Sequence, residues 1–168
     1  MILCQIQIKT KIFKVFHQNV RGLLNKSEEL ISFLSPGFPQ ALCLTQHHLK
    51  DTAIDFIYIY IYMDQYKLGA KLCRESLKNG GVSIFVHDTL QCTNINLDEF
   101  CKEQDNEACA VRINLSSLTI CIISIYRLPT ENVLHTLDSI LNFLHNTIEI
   151  IIIYGDFNIN YLNDNDKK

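Results

Sequence analysis

Asp156 and Asn158 stand two residues apart just after the apolar run Ile150-Ile151-Ile152-Ile153, so in an extended segment a carboxylate and an amide point to the same side. A carboxylate so placed can take a proton from an attacking water while the amide holds that water or a phosphate, which is the arrangement general-base hydrolysis needs. The bland reading of Gly155-Asp156 is a simple turn, and for these residues alone it is the favoured one. At a second strand exit, Tyr126-Arg127-Leu128-Pro129 puts a phenol and a guanidinium where the chain leaves another apolar run, and both donate to anions. Its ordinary reading is a tyrosine capping the core and an arginine in solvent. Asn19 and the string Thr45-Gln46-His47-His48 fall at two further strand ends. Adjacent histidines point to opposite sides of an extended chain, so at least one of His47 and His48 belongs at the surface.

The elements that must position these residues are legible in outline. Lys11 to Phe16 reads as a strand entering a polar turn at His17-Gln18-Asn19-Val20-Arg21-Gly22. Asn25 or Ser27 can cap a helix with Glu28 and Glu29 in its first turn and Leu30, Ile31 and Leu34 on one face, stopped by Pro36-Gly37 and Pro39. A strand at 41–44 follows, and the strand, helix, strand order predicts a crossover that brings the carboxyl ends of parallel neighbours to one edge of a sheet. Asn79-Gly80-Gly81 is a turn feeding a strand at 82–86, and Ser116-Ser117 joins strands at 108–115 and 118–126 as a hairpin. Pro129 and Thr130 open a helix with Val133, Leu137, Ile140, Leu141, Leu144 and Ile148 at helical spacing, and Ile150 to Ile153 is a buried strand leading to Gly155-Asp156. The class is mixed α/β with parallel and antiparallel pairing. The run Ile57-Tyr58-Ile59-Tyr60-Ile61-Tyr62 is low in complexity and strand-prone, and its residues suggest no chemistry.

The chain has 168 residues, of which 48% are hydrophobic and 20% charged, enough for one core in one domain, with no internal repeat or long linker. The domain is expected over 1–162, followed by a polar, frayed tail at 163–168. A net charge of -3 and a pI near 6.0 give no broad basic face, so any nucleic-acid contact has to come from a local groove. Seven cysteines without a Cys-x-x-Cys pair argue against a disulfide framework or a zinc ribbon. Met1 to Gln7 lacks the charged start and long apolar stretch of a signal peptide, and no apolar run reaches membrane-spanning length. The expectation is a protein of a reducing intracellular setting, nucleus or cytoplasm, with no membrane partner.

Taken in order, Asn19-Val20-Arg21-Gly22-Leu23, Leu42-Cys43-Leu44-Thr45-Gln46-His47-His48, Gly80-Gly81-Val82, Tyr126-Arg127-Leu128-Pro129 and Gly155-Asp156-Phe157-Asn158 follow a known succession. The chain resembles the endonuclease/exonuclease/phosphatase superfamily, and within it the apurinic-type endonuclease domain of LINE-type (non-LTR) retrotransposons. The resemblance runs from Asn19 to Asn158. It implies a partial four-layer sandwich of two mixed β-sheets flanked by helices, cutting a phosphodiester of DNA with Mg2+ or Mn2+ bound at the strand ends. By position, Asn19 would orient the phosphate and the metal site, Tyr126 would donate to the phosphate and Arg127 would bind substrate. Asp156 would activate the water, and Asn158 would hold water and phosphate in line.

Two departures accompany the resemblance. Gln46 stands where that family keeps a metal-binding glutamate, and a hard dication held by a neutral amide is held more weakly. The family's later half carries a further aspartate and a closing Ser-Asp-His segment, and neither appears before Lys168. The expectation is a C-terminally truncated domain with impaired catalytic activity and uncovered sheet edges prone to self-association. Two alternatives remain at this point: a non-catalytic remnant that binds nucleic acid weakly, and a small doubly wound domain in which Asp156 is a strand-end ligand site by analogy only.

Overall fold

Alternation of apolar and polar residues along the strands decides the architecture. The computed structural model describes residues 2–8, 11–34, 38–55, 64–76, 79–103, 105–116, 118–127, 133–145 and 148–157, apart from the side chains of Lys11, Phe33, Arg127, Val133 and Leu134. The strands are β1 (Ile2–Ile8), β2 (Lys11–Asn19), β3 (Ala41–Thr45), β4 (Tyr66–Leu72), β5 (Val82–His87), β6 (Cys92–Ile95), β7 (Asn106–Leu115), β8 (Leu118–Arg127) and β9 (Ile150–Asp156). The α-helices are α1 (Ser27–Leu34), the single turn α2 (Asp51–Ile54) and α3 (Val133–Leu144). One sheet runs β1-β2-β3-β5-β4 and the other β6-β7-β8-β9. Each sheet holds one parallel pair, β2 with β3 and β8 with β9, and the crossovers between their strands carry α1 and α3.

Every second residue of the inner strands faces the opposite sheet. Phe13 and Val15 of β2, Ala41 and Cys43 of β3, and Val82, Ile84 and Val86 of β5 pack there against Cys109, Val111 and Ile113 of β7 and Ile120 and Ile122 of β8. The intervening residues face outward and are covered by helices. Phe16, Leu42, Leu44 and Phe85 meet Leu30 and Leu34 of α1 and Ile54 of α2, while Ala108, Ala110, Cys121, Ile123 and Ile125 meet Ile140 and Leu144 of α3. The sandwich of two mixed sheets flanked by helices that the resemblance implies is therefore the observed arrangement.

Several local expectations are corrected. The strand beginning at Lys11 runs on to Asn19, because parallel pairing with β3 continues through Asn19 opposite Thr45, so the polar turn starts three residues later than its composition suggests. Asn25 is no helix cap; it lies inside a 3-10 turn, Leu23–Lys26, that leads straight into α1, and the Ser27 hydroxyl donates to the Leu24 carbonyl at 3.3 Å. Among the described residues β9 lies at the sheet edge, and most of its side chains are half-buried, although its run of isoleucines predicts full burial. Gly155-Asp156 is not a turn but the end of β9. β1, β4 and β6 were not anticipated. The Ile57 to Tyr62 run, Pro129, Thr130, Asn158 and the tail lie outside the described residues.

Candidate active site at the mouth of the sandwich

The side-chain parity that builds the core also builds the site. Asn19 is on the same face of β2 as Phe13 and Val15, Tyr126 on the same face of β8 as Ile120 and Ile122, and Asp156 on the same face of β9 as Ile152, so all three point into the space between the sheets. They sit where the parallel pairs end. Asn19 is in register with Thr45, which is in register with Val82. In the other sheet Glu107, Tyr126 and Asp156 form one lateral row.

The two rows touch. Asn19 Nδ2 donates to Asp156 Oδ2 at 2.6 Å across the gap between the sheets, and Asn19 Oδ1 accepts the Arg21 backbone N–H at 3.3 Å. Gln46 Nε2 donates to the Tyr126 hydroxyl. Because the phenol oxygen accepts there, its own hydrogen stays available for another acceptor. Gly155 explains how β9 brings Asp156 so close to Tyr126: a Cβ at Gly155 would lie 2.1 Å from the Ile125 carbonyl oxygen, so the backbone approach requires glycine.

Three loops close the mouth and are laced by backbone hydrogen bonds. The Gly22 and Leu23 N–H groups donate to the Gln46 and His47 carbonyls at 2.8 and 3.0 Å, and the His47 and His48 N–H groups donate to the Gly81 and Gly80 carbonyls at 3.4 and 2.9 Å. Arg21, Gln46, His48 and Asn79 all adopt left-handed backbone, with φ of 46, 55, 60 and 71°. Such conformations are costly for residues with a Cβ and persist where surrounding contacts hold them. The histidines separate as their adjacency implies. His48 is exposed, whereas His47 is buried with its Nδ1 accepting the Leu49 N–H at 3.0 Å.

Burial pushes His47 down to about 4. Burial does the same to His17, also to about 4, against the opposing pull of the Asp156 carboxylate. The His17 ring stacks on Tyr154, with centroids 6.3 Å apart. Both histidines are therefore neutral at pH 7, and neither adds positive charge to the mouth. His48 is also shifted down, first by burial and then by the Arg74 guanidinium.

Sequence reasoning missed Arg74 and Glu107. Glu107 starts the inner face of β7 with no exposed surface, pairs with Arg74 Nε and accepts the Gly81 N–H at 2.7 Å. A glutamate two residues into a strand ordinarily reads as a solvated end, and only the pairing across the sheets reveals it. Of the residues read from the sequence, Asn19, Gln46, Tyr126 and Asp156 are brought together. The Arg127 backbone ends β8 beside them, while Asn158 and the Arg127 side chain fall outside the described atoms.

As they stand, these donors do not make a divalent-metal cage. Asp156 already takes the Asn19 amide, Gln46 turns its NH2 toward Tyr126, and among the described residues no three His, Cys, Asp or Glu side chains gather in ligating positions. Magnesium sites rely on carboxylate charge to offset lost hydration, and Gln46 supplies none.

No protein-family profile and no curated protein sequence matches the chain. Comparison with solved structures is decisive for the fold. The human Nocturnin catalytic domain with bound sulfate superposes with a TM-score of 0.62 at 16% identity, over 94% of this chain and 68% of that one. The shared feature is the fold, a sandwich of two mixed β-sheets with helices. The endonuclease domain of TRAS1, a telomere-specific non-LTR retrotransposon, gives 0.60 at 14% identity, over 89% of this chain and 61% of that domain. TDP2 of D. rerio in complex with a single-strand DNA product gives 0.60 at 12% identity, over 88% and 61%. The chain thus spans 61–68% of the length of these three structures.

Proposed function

We propose that this chain carries a phosphodiester-cleaving site of the LINE-type retrotransposon endonuclease kind, acting on DNA, with its hydrolytic step weakened by Gln46. The observation that carries this reading is the 2.6 Å hydrogen bond from Asn19 to Asp156, which joins two sheets at the mouth where Tyr126 stands in register with that carboxylate. Asp156 takes the proton of the attacking water, and Asn19 fixes the orientation of its carboxylate. Tyr126 donates its phenolic hydrogen to a phosphate oxygen as charge builds there. Asn158 is assigned to holding water and phosphate, and Arg127 to contacting the substrate backbone. Magnesium or manganese is the cofactor expected from the resemblance, and a carboxylate at position 46 would hold it more tightly than the Gln46 amide. Support for a nucleic-acid substrate comes from the ordered motifs and from two similar structures, one a retrotransposon endonuclease and the other bound to DNA.

A plasmid-nicking assay with magnesium tests the reading. The chain nicks slowly, and Asp156→Ala lowers the rate by about 100-fold or more. Equal nicking by the two chains would show that Asp156 is not the base.

A second reading, a non-catalytic module that binds nucleic acid weakly, is favoured by the engagement of Gln46 with Tyr126 in place of a metal-binding carboxylate. It predicts that single-stranded DNA binds without being cut even in the Gln46→Glu chain.

A further inference from the structure

Arg74 and Glu107 lie outside the four-residue site, yet they are withdrawn from water, with 8% and 0% of their side-chain surfaces exposed. Burying two charges is expensive, and an apolar pair of similar volume commonly holds a core at least as well. What an apolar pair could not supply is an acceptor for the Gly81 N–H, which reaches Glu107 Oε2 from the opposite sheet at 2.7 Å. The turn so held is tightly enclosed. A Cβ at Gly80 would lie 2.2 Å from Arg74 Nε, and one at Gly81 would lie 2.4 Å from His47 Cε1. From this turn the Gly80 and Gly81 carbonyls accept the His48 and His47 N–H groups. Those residues directly follow the left-handed Gln46, whose side chain ends on Tyr126, the neighbour of Glu107 in register.

We propose that Arg74 and Glu107 are a positioning pair that pins the Gly80-Gly81 turn across the mouth of the sandwich and so sets where Gln46 meets Tyr126. The catalytic meaning of that placement rests on the function proposed above; the placement itself does not.

Amide hydrogen exchange and the 13Cζ resonance of Tyr126, both read on the chain without metal or substrate, test it in Arg74→Met/Glu107→Leu and in Glu107→Gln. The expected result for the double variant is that Gly22, His48 and Gly81 exchange at least about tenfold faster and the Tyr126 resonance moves, while Val111 and Ile122 in the sheet centre keep their protection. Glu107→Gln, which retains the shape of the side chain, shows the same local pattern at smaller amplitude and decides the matter if the double variant does not fold. Uniform acceleration of all amides in Glu107→Gln would make the pair a fold-wide support and overturn the proposal. So would unchanged exchange and an unmoved Tyr126 resonance. Because neither readout uses nicking, loss of this proposal leaves the phosphodiesterase reading standing, and the reverse holds as well.

Discussion

Gln46 is the residue on which the proposed chemistry turns. Its side chain reaches Tyr126 from a left-handed backbone held by the 22–23 and 80–81 loops, so the position is built even though the charge is missing. Replacing Gln46 by Glu is isosteric and puts a second carboxylate beside Asp156 at the mouth. Magnesium affinity measured by calorimetry should rise by about tenfold or more in that variant, since the hard dication gains the charge it requires. No gain would mean that the strand ends do not converge on a metal position. Asn19, Gln46, Tyr126 and Asp156 were all legible in the sequence, because each sits where an apolar strand gives way to polar residues. Glu107 and Arg74 were not, because their importance lies in a contact between segments 33 residues apart.

At the scale of elements, the two parallel crossovers do the placing. β2 and β3 deliver Asn19 and Gln46, and β8 and β9 deliver Tyr126 and Asp156. The second delivery depends on Gly155, whose missing Cβ lets β9 sit against the Ile125 carbonyl. Gly155→Ala should destabilise the chain by about 1–3 kcal/mol, as overpacking does, because a backbone atom cannot swing aside. Urea unfolding checks this, and an unchanged midpoint would show that β9 is free to shift. The elements of both crossovers were legible because strand and helix periodicity is local, although only the one between β2 and β3 was read as a crossover. β4 and β6 were not, since Tyr66–Leu72 carries Lys67, Gly69 and Lys71 and Cys92–Ile95 is polar and short, so their pairing is decided by β5 and β7. In β1, Cys4-Gln5-Ile6-Gln7-Ile8 does alternate as a strand, but it is an edge strand among the described residues and leaves Ile2 and Leu3 exposed.

For the molecule as a whole, stability should depend on pH through the two buried histidines. His17 and His47 titrate near 4 in the folded chain, against about 6.5 when unfolded. Between those values the unfolded state binds more protons, so the contribution is complete above pH 6.5 and is lost as the pH falls to 4. Each histidine contributes up to about 3 kcal/mol over that window. Denaturant unfolding at pH 7 and pH 4.5, compared with the His17→Gln chain, checks the sign and size. An identical pH slope in the two chains would remove His17 from the explanation. Among the described residues no helix is long and apolar enough to cross a membrane, and a net charge of -3 leaves no broad basic face, so any contact with nucleic acid has to come from a local groove.

Local pattern by itself determined the mixed class, the crossover between β2 and β3, the helix between β8 and β9, the central hairpin and the polar strand ends that carry Asn19, Gln46, Tyr126 and Asp156. These follow from periodicity and turn chemistry, which depend on neighbours a few residues away. Only the tertiary structure decided that the ends of two different sheets meet, with Asn19 on Asp156 and Gln46 on Tyr126, and that a buried Arg74–Glu107 pair stands behind them. Those contacts join residues 33 to 137 positions apart. Their existence is set by how two sheets pack, and packing is a property of the assembled core that no single segment encodes.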